Sequence, residues 1–206
     1  MLKNVIVAAS LLVVGLSANA ALTGGVAANQ NPSSFIDLSA AGVVTGGALY
    51  LPNALPDAAI PKNVAPPKPT VGTWLAAGPT NLNNGGGDAV VSFGDGTAFV
   101  SFLWGSPDTY NTLTVTTTAG SYAFTSASPE LASIVANGNQ DFASYLGFDA
   151  TGGELIKSLT FSSPEINAFE ASNFSTTSPI PEPETYALML AGLGVVGFMA
   201  RRRKAD

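Results

Sequence analysis

The chain has 206 residues, no cysteine, no histidine and a formal net charge of −6 at pH 7. The missing residue types exclude disulfides, a thiol nucleophile, an imidazole base and Cys/His zinc sites. With 46% hydrophobic residues, 11% charged residues, 22 Gly and 14 Pro, the composition predicts one folded domain built from short strands and turns.

The first 20 residues have the layout of a secretory signal peptide. Lys3 gives a positive start, residues 5–16 are an apolar stretch, and Ala18-Asn19-Ala20 is a small-x-small cleavage site. As a helix, the apolar stretch spans about 18 Å, which is too short for a hydrocarbon core of about 30 Å. We therefore expect export through the secretion translocon and cleavage after Ala20.

Residues 21–172 form the predicted body, of which residues 21–70 are partly irregular. Residues 21–33 are small and polar and predict a loose beginning. Six prolines between Pro52 and Pro69 prevent a regular helix or a central strand. This proline-rich stretch is either a linker or a loop held on the surface, and the apolar segments that flank it favour the loop.

Strand patterns become clear from Ala89 onward. Two β-rich runs, "DAVVSF" and "TAFVSFLWG", flank a Gly-Asp-Gly, which predicts a hairpin. The second run is apolar on both faces, as expected of a strand inside a sandwich. "YNTLTVTTT" alternates as a half-buried strand does and is expected to pair with "SYAFTS" across Ala119-Gly120.

One helix is predicted in the body, with Ser128 as its cap, Pro129 in its first turn and Gly138 at its end. Three further strands are predicted in "DFASYLGFD", "ELIKSLTFSS" and "NAFEASNFS". Glu154 and Lys157 near the start of one of them are expected on the solvated surface. Together these elements predict a mainly β fold, an antiparallel jelly-roll-like sandwich with one short helix.

The end of the chain has the character of a membrane anchor. A Ser/Thr linker is expected at 173–180, and residues 185–200 carry no charge and would span about 24 Å as a transmembrane helix. The basic residues after this run favour a cytoplasmic end by the positive-inside rule; they are Arg201, Arg202, Arg203 and Lys204. The alternative is a buried final helix of the domain.

Pro181 and Pro183 restrict their own backbones and those of the residues before them, so this stretch is expected to be extended, as peptidase clefts require. The end of the chain resembles the PEP-CTERM sorting signal, which combines Pro181-Glu182-Pro183, an apolar run that contains several glycines, and an Arg-rich end. That resemblance spans residues 181–206. It implies processing by an exosortase of a Gram-negative bacterium, transient anchoring in the inner membrane, and delivery to the envelope, cell surface or extracellular matrix in association with exopolysaccharide and biofilm.

The body carries a second resemblance. "SFLWGSPDTYNTLTV", "KSLTF" and "NAFEASNF", within residues 71–174, resemble a recurring body type of exosortase-dependent surface proteins. The resemblance implies an all-β body and supplies no catalytic residue.

Two polar stretches are candidate binding sites. Asn81, Asn83, Asn84 and Asp88 offer oxygen atoms to Ca²⁺, but they lack the spacing of an EF-hand loop, and a simple turn is the favoured interpretation; no metal or cofactor is expected. The other stretch is "WGSPDTYN", whose candidate residues are Trp104, Asp108, Tyr110 and Asn111. These side chains could form a sugar-binding platform; alternatively, Trp104 fills the core and a turn follows it.

The predicted body is acidic. Residues 21–180 hold 11 acids and 3 lysines, which disfavours nucleic-acid binding. We expect an exported, non-enzymatic surface or matrix protein. The alternatives are a lectin-like carbohydrate-binding module, using Trp74, Trp104 or Tyr110, and a glycoside hydrolase, which would need two carboxylates about 5–9.5 Å apart in an open cleft.

Overall fold

The computed structural model describes residues 22–27, 34–51, 63–78, 87–164, 166–177 and 192–193. Eleven strands and the 3-10 turn Pro129–Leu131 lie in these ranges. The strands are β1 Leu22–Val26, β2 Val44–Gly46, β3 Ala48–Tyr50, β4 Trp74–Ala77, β5 Ala89–Thr97, β6 Phe99–Gly105, β7 Thr112–Thr117, β8 Ser121–Phe124, β9 Ala143–Ala150, β10 Ile156–Ser162 and β11 Phe169–Ser175.

The strands form two antiparallel sheets that pack face to face. Their orders are β1-β9-β6-β11-β4-β3 and β2-β5-β10-β7-β8. The eight strands from β4 to β11 are divided as β4-β11-β6-β9 and β5-β10-β7-β8, which is the strand order of a jelly roll. The predicted mainly β, antiparallel fold is confirmed.

Aromatic side chains from both sheets fill the space between them. Phe161 of β10 meets Phe102 of β6 and Phe169 of β11 edge-on, with ring centroids 5.2 and 5.0 Å apart. Trp104 stacks on Phe169 at 4.6 Å. Every residue of β6 is buried, as its two apolar faces predict. The predicted alternation of buried and half-buried side chains along β7 is also confirmed, because Leu113 is buried and the threonines on either side of it are half-buried.

The two predicted hairpins have different outcomes. β7 and β8 pair as expected around Ala119-Gly120. The Gly-Asp-Gly hairpin is wrong, because β5 and β6 belong to different sheets. Gly94 and Gly96 adopt φ of 54° and 98° inside β5, where the register with β10 shifts. Lys157 of β10 donates hydrogen bonds to the carbonyls of Gly94 and Asp95. The motif is therefore a bulge, and the chain crosses to the other sheet after it.

The helix predicted from Ser128 to Gly138 is present only as a 3-10 turn at Pro129–Leu131, which begins where expected but ends much earlier. The backbone N–H groups of Leu131 and Ile134 donate to carbonyls three residues earlier, as in 3-10 turns, and the Ser128 side chain makes no capping bond. Leu131 and Ile134 are buried, whereas Val135 is exposed. Local capping signals could not overcome a segment with so few buried side chains, since short helices depend on tertiary packing.

Both boundaries of the body differ from the prediction. Residues 22–26, expected to be loose, form β1, which extends the first sheet beyond β9. Residues 173–175, expected in a linker, complete β11 and are buried. Phe174 packs in the core on Phe102 and Phe161. The strand therefore continues into the stretch that composition assigns to a linker.

The described part of the proline-rich stretch, residues 63–70, lies across the outer face of the first sheet. The Asn173 carboxamide donates to the Pro69 carbonyl and accepts from the Val71 N–H, at 2.8 and 2.7 Å. The Thr70 and Ser172 hydroxyls are 3.0 Å apart. These bonds favour a surface-held loop, which we call the strap; residues 52–62 lie outside the described residues.

Several predicted features of the chain ends lie outside the described residues: the signal peptide with Ala18 and Ala20, Pro181 to Pro183, the basic end, and the 185–200 run apart from residues 192 and 193, which are helical. Within the described ranges, no helix is long and apolar enough to cross a bilayer.

Gly24 in β1 provides a local test of how this edge strand docks. A Cβ atom there would lie 2.4 Å from ring atoms of Phe148, whereas at Gly25 the nearest atom would be 3.6 Å away. We expect Gly24→Ala to lower the free energy of unfolding by about 1–3 kcal/mol, as overpacking does, and Gly25→Ala to leave it nearly unchanged. Urea unfolding of the two variants checks this; equal effects would contradict the close approach of β1 to Phe148.

Candidate functional site

Four loops converge at one end of the sandwich and surround a polar recess of about 190 Å³. They are the beginning of the strap, the β6–β7 loop, the turns before β9 and the loop before β11. Each follows or precedes a strand whose position the core fixes. The recess, which we call the end cleft, is lined by Asn63, Ser106, Asp108, Tyr110, Gly138, Gln140 and Asn167.

The β6–β7 loop is shaped by a tight turn and by its neighbours. Gly105 closes β6 where a Cβ atom would lie 2.8 Å from Pro67 of the strap. Ser106 then takes the left-handed φ of 37°, and the Asn111 N–H donates to the Asp108 carbonyl at 3.3 Å. The Gly138 N–H donates to the Pro107 carbonyl at 2.9 Å and ties the turns before β9 to this loop.

Asp108 and Tyr110 form a fixed pair inside the end cleft. The Tyr110 hydroxyl donates to Asp108 Oδ2 at 2.7 Å. Partial burial and this neighbouring carboxylate raise the pKa of Tyr110 above its usual value. A Cβ atom at Gly138 would lie 2.7 Å from Asp108 Oδ1, so the backbone of this turn closes against the carboxylate.

A buried acid lies beneath the end cleft. Glu170 of β11 is fully buried, where it accepts hydrogen bonds from the Ser106 hydroxyl at 2.7 Å and from the Ala65 N–H at 3.3 Å. Burial raises the pKa of Glu170 to about 8, and the Asp108 charge adds to the rise, while hydrogen bonds from Ser106, Ala65 and the backbone of Glu170 itself oppose it. At neutral pH Glu170 is therefore mostly protonated, and Asp108 supplies the negative charge of the cleft.

The predicted sugar platform is only partly assembled. Asp108 and Tyr110 line the end cleft. Trp104 is wrong as a platform residue, because it is fully buried and stacked in the core, and Trp74 is equally buried. Asn111 is also fully buried and donates to the Ala168 carbonyl at 3.4 Å. The interpretation in which Trp fills the core and a turn follows is confirmed.

Sequence reasoning missed Glu170 and misplaced Glu154. A single acid in a strand pattern gives no local signal of burial, and the partners of Glu170 come from distant loops. Glu154, expected on the surface, is buried; its Oε1 accepts hydrogen bonds from the Thr117 and Tyr122 hydroxyls. Asp88 of the proposed Ca²⁺ stretch is exposed, and Asn81, Asn83 and Asn84 lie outside the described residues. Among described residues, no three acidic, His or Cys side chains form a metal-binding cluster.

A larger, open recess of about 610 Å³ lies between the edge strands β1 and β8. Of its nine described lining residues, only Glu130 is charged. Four of these nine residues have polar side chains, against six of the seven that line the end cleft, so we take the more polar end cleft as the candidate site.

The fold and the cleft define a β-sandwich protein with a small polar cleft among its end loops. Comparison with protein families adds its cellular route: residues 179–204 match the PEP-CTERM protein-sorting motif. The chain therefore carries a PEP-CTERM sorting motif, which implies export, transient anchoring in a membrane and targeting to an exosortase. Neither the curated proteins nor the solved structures contain a significant match.

Proposed function

We propose that the body is a non-enzymatic component of the cell surface or extracellular matrix of a Gram-negative bacterium, where it is associated with exopolysaccharide and biofilm. The observation that carries the proposal is the sorting motif at residues 179–204. It follows directly on a folded body whose described residues continue to Thr177. In this scheme the signal peptide directs export, residues 185–200 hold the chain in the inner membrane, and exosortase cuts near Pro181 to Pro183.

The arrangement of acids supports a non-enzymatic body. A glycoside hydrolase needs two carboxylates that both reach the substrate. Asp108 lines the end cleft, but its neighbour Glu170 is fully buried beneath Ser106. Among the described residues that line this cleft, Asp108 therefore has no second accessible acid, and we assign the body a binding or structural role.

Fractionation of the producing bacterium tests this function. We expect the wild-type protein in the matrix fraction, and in the medium when exopolysaccharide synthesis is deleted. A variant with Pro181, Glu182 and Pro183 replaced by Ala should remain in the inner membrane, because the processing enzyme no longer recognises it. The control replaces Thr176 and Thr177, which are exposed and lie just before the motif, and should behave as wild type.

Two results would contradict the proposal. One is matrix delivery of the triple variant at the wild-type level. The other is a fall in the chain length of purified exopolysaccharide on incubation with the protein, since a non-enzymatic body leaves the polymer intact.

A further inference from the structure

The end cleft contains polar groups held in place by bonds within the protein. Tyr110 is bonded to Asp108, and Ser106 to the buried Glu170, at 2.7 Å in each case. An exposed ion pair between Lys68 and Asp141, 2.6 Å long, joins the strap to the turn beside Gln140. A ligand would therefore meet Asp108, Tyr110 and Ser106 side chains that are already ordered, which lowers the entropic cost of binding.

The lining excludes several classes of ligand. Its described residues include no Lys or Arg, so a phosphate or carboxylate would face Asp108 without a counter-charge. One carboxylate is fewer than divalent cations usually receive, since Ca²⁺ takes six to eight oxygen ligands, with several from acids. No described lining residue has a large aliphatic side chain, which disfavours a lipid or an apolar peptide side chain.

The remaining polar groups fit a neutral molecule with many hydroxyls. Asn63, Gln140 and Asn167 carry carboxamides, which have a donor and an acceptor in the same plane, and Asp108 adds a charged acceptor. Hydroxyl groups both donate and accept, so they match this mixed set. The volume of about 190 Å³ is below the roughly 300–1,000 Å³ of pockets for drug-sized ligands, which limits the ligand to about one ring.

We propose that the end cleft binds a single neutral pyranose, such as a terminal sugar of a glycan, through Asp108, Tyr110 and the surrounding carboxamides. The biological source of that sugar rests on the proposed matrix function. Binding itself is measured on the purified protein, so its failure would leave export and processing standing.

The test is NMR titration of the isotopically labelled exported protein with the methyl glycosides of glucose, galactose and mannose, and with methyl glucuronide and Ca²⁺ as separate probes. We expect at least one neutral glycoside to change the backbone amide chemical shifts within residues 106–110 and 138–140, with a Kd on the order of 1 mM. Methyl glucuronide should bind more weakly than the neutral sugar. A glycan ending in the same sugar should bind at least as well, whereas binding of the free glycoside alone would contradict recognition of a glycan end.

Matched variants assign the effect to the cleft. Asp108→Asn keeps an acceptor for Tyr110 and should weaken binding about 10-fold or more, because a hydrogen bond to a charged group is lost. Gln140→Ala, at an exposed turn, should weaken it about 3-fold. Asp95→Asn, in the bulge at the other end of the sandwich, should bind as wild type. Three results would overturn the proposal. They are unchanged amide resonances with every neutral glycoside, changes in these resonances with Ca²⁺ but not with sugar, and a loss of sugar affinity in Asp95→Asn as large as that in Asp108→Asn.

Discussion

Replacing Glu170 by Gln is expected to stabilise the body above about pH 8 and to remove most of its loss of stability between about pH 5 and 8. The carboxyl has an ordinary pKa of 4.5 in the unfolded chain and about 8 in the fold. Between these values the folded state holds a proton that the unfolded state has lost, so stability falls as pH rises. Since each pKa unit corresponds to about 1.4 kcal/mol, the fall is on the order of 3–5 kcal/mol.

The neighbours of Glu170 support this sign. Asp108 and Tyr110 are the titratable groups that interact with it, and neither supplies a positive charge that would stabilise the ionised acid. Gln resembles the protonated acid: its carbonyl oxygen can accept from the Ala65 N–H, and its NH₂ group can donate to Ser106 Oγ, which reverses the direction of the bond that Ser106 donates in the wild type. Asp37 and Asp141 have lowered pKa values, so they titrate below this window.

Urea unfolding at about pH 5, 7 and 9 measures the effect. The wild type should lose stability across the series, Glu170→Gln should lose little, and the two should be similar at the lowest pH. Glu130→Gln, at an exposed acid, is the matched control and should keep the wild-type slope. If Glu170→Gln keeps that slope as well, Glu170 is not a protonated buried acid.

Phe161→Ala is expected to lower the free energy of unfolding by about 3–5 kcal/mol, a large loss for a single core substitution. The Phe161 ring is fully buried and meets Phe102, Phe169 and Phe174 edge-on at 5.0–5.6 Å. It belongs to the second sheet and its three partners to the first. Its removal therefore leaves a cavity between the sheets and removes three aromatic contacts across them.

Denaturant unfolding also tests this prediction. Because domains are stable by only about 5–15 kcal/mol, the Ala variant should unfold at a much lower urea concentration with a similar m value, and Phe161→Leu should lose less. Val135→Ala, at an exposed residue, should change stability by under about 0.5 kcal/mol. A loss below about 1 kcal/mol for Phe161→Ala would mean that the two sheets do not depend on this ring.

The sequence predicts the strands well because their signal is local. The alternation of Leu113 and Val115 with threonine, and the two apolar faces of β6, report burial directly. The Gly-Asp-Gly error arose because positive-φ glycines suit a hairpin and a bulge equally. Pairing of β5 with β10, which lies about sixty residues further along the chain, decides between them.

The site was less predictable because its parts are distant in sequence. "WGSPDTYN" pointed to Asp108 and Tyr110, which do line the end cleft, and a buried Trp104 was one of the two interpretations of this stretch. Glu170 gives no signal of its own, because its burial depends on the strap, whose Ala65 is 105 positions away. The sorting motif was recognisable because its order of proline, acid, apolar run and basic end is contiguous.

The most direct measurement of the central claim, that residues 179–204 are a sorting segment removed from a folded exported body, is mass spectrometry of the extracellular protein. We predict an amino terminus at Ala21 and a carboxyl terminus near Pro181 to Pro183, with the full tail retained in the membrane when the exosortase gene is deleted. An extracellular form that still ends in Arg201-Arg202-Arg203-Lys204-Ala205-Asp206 would contradict the account.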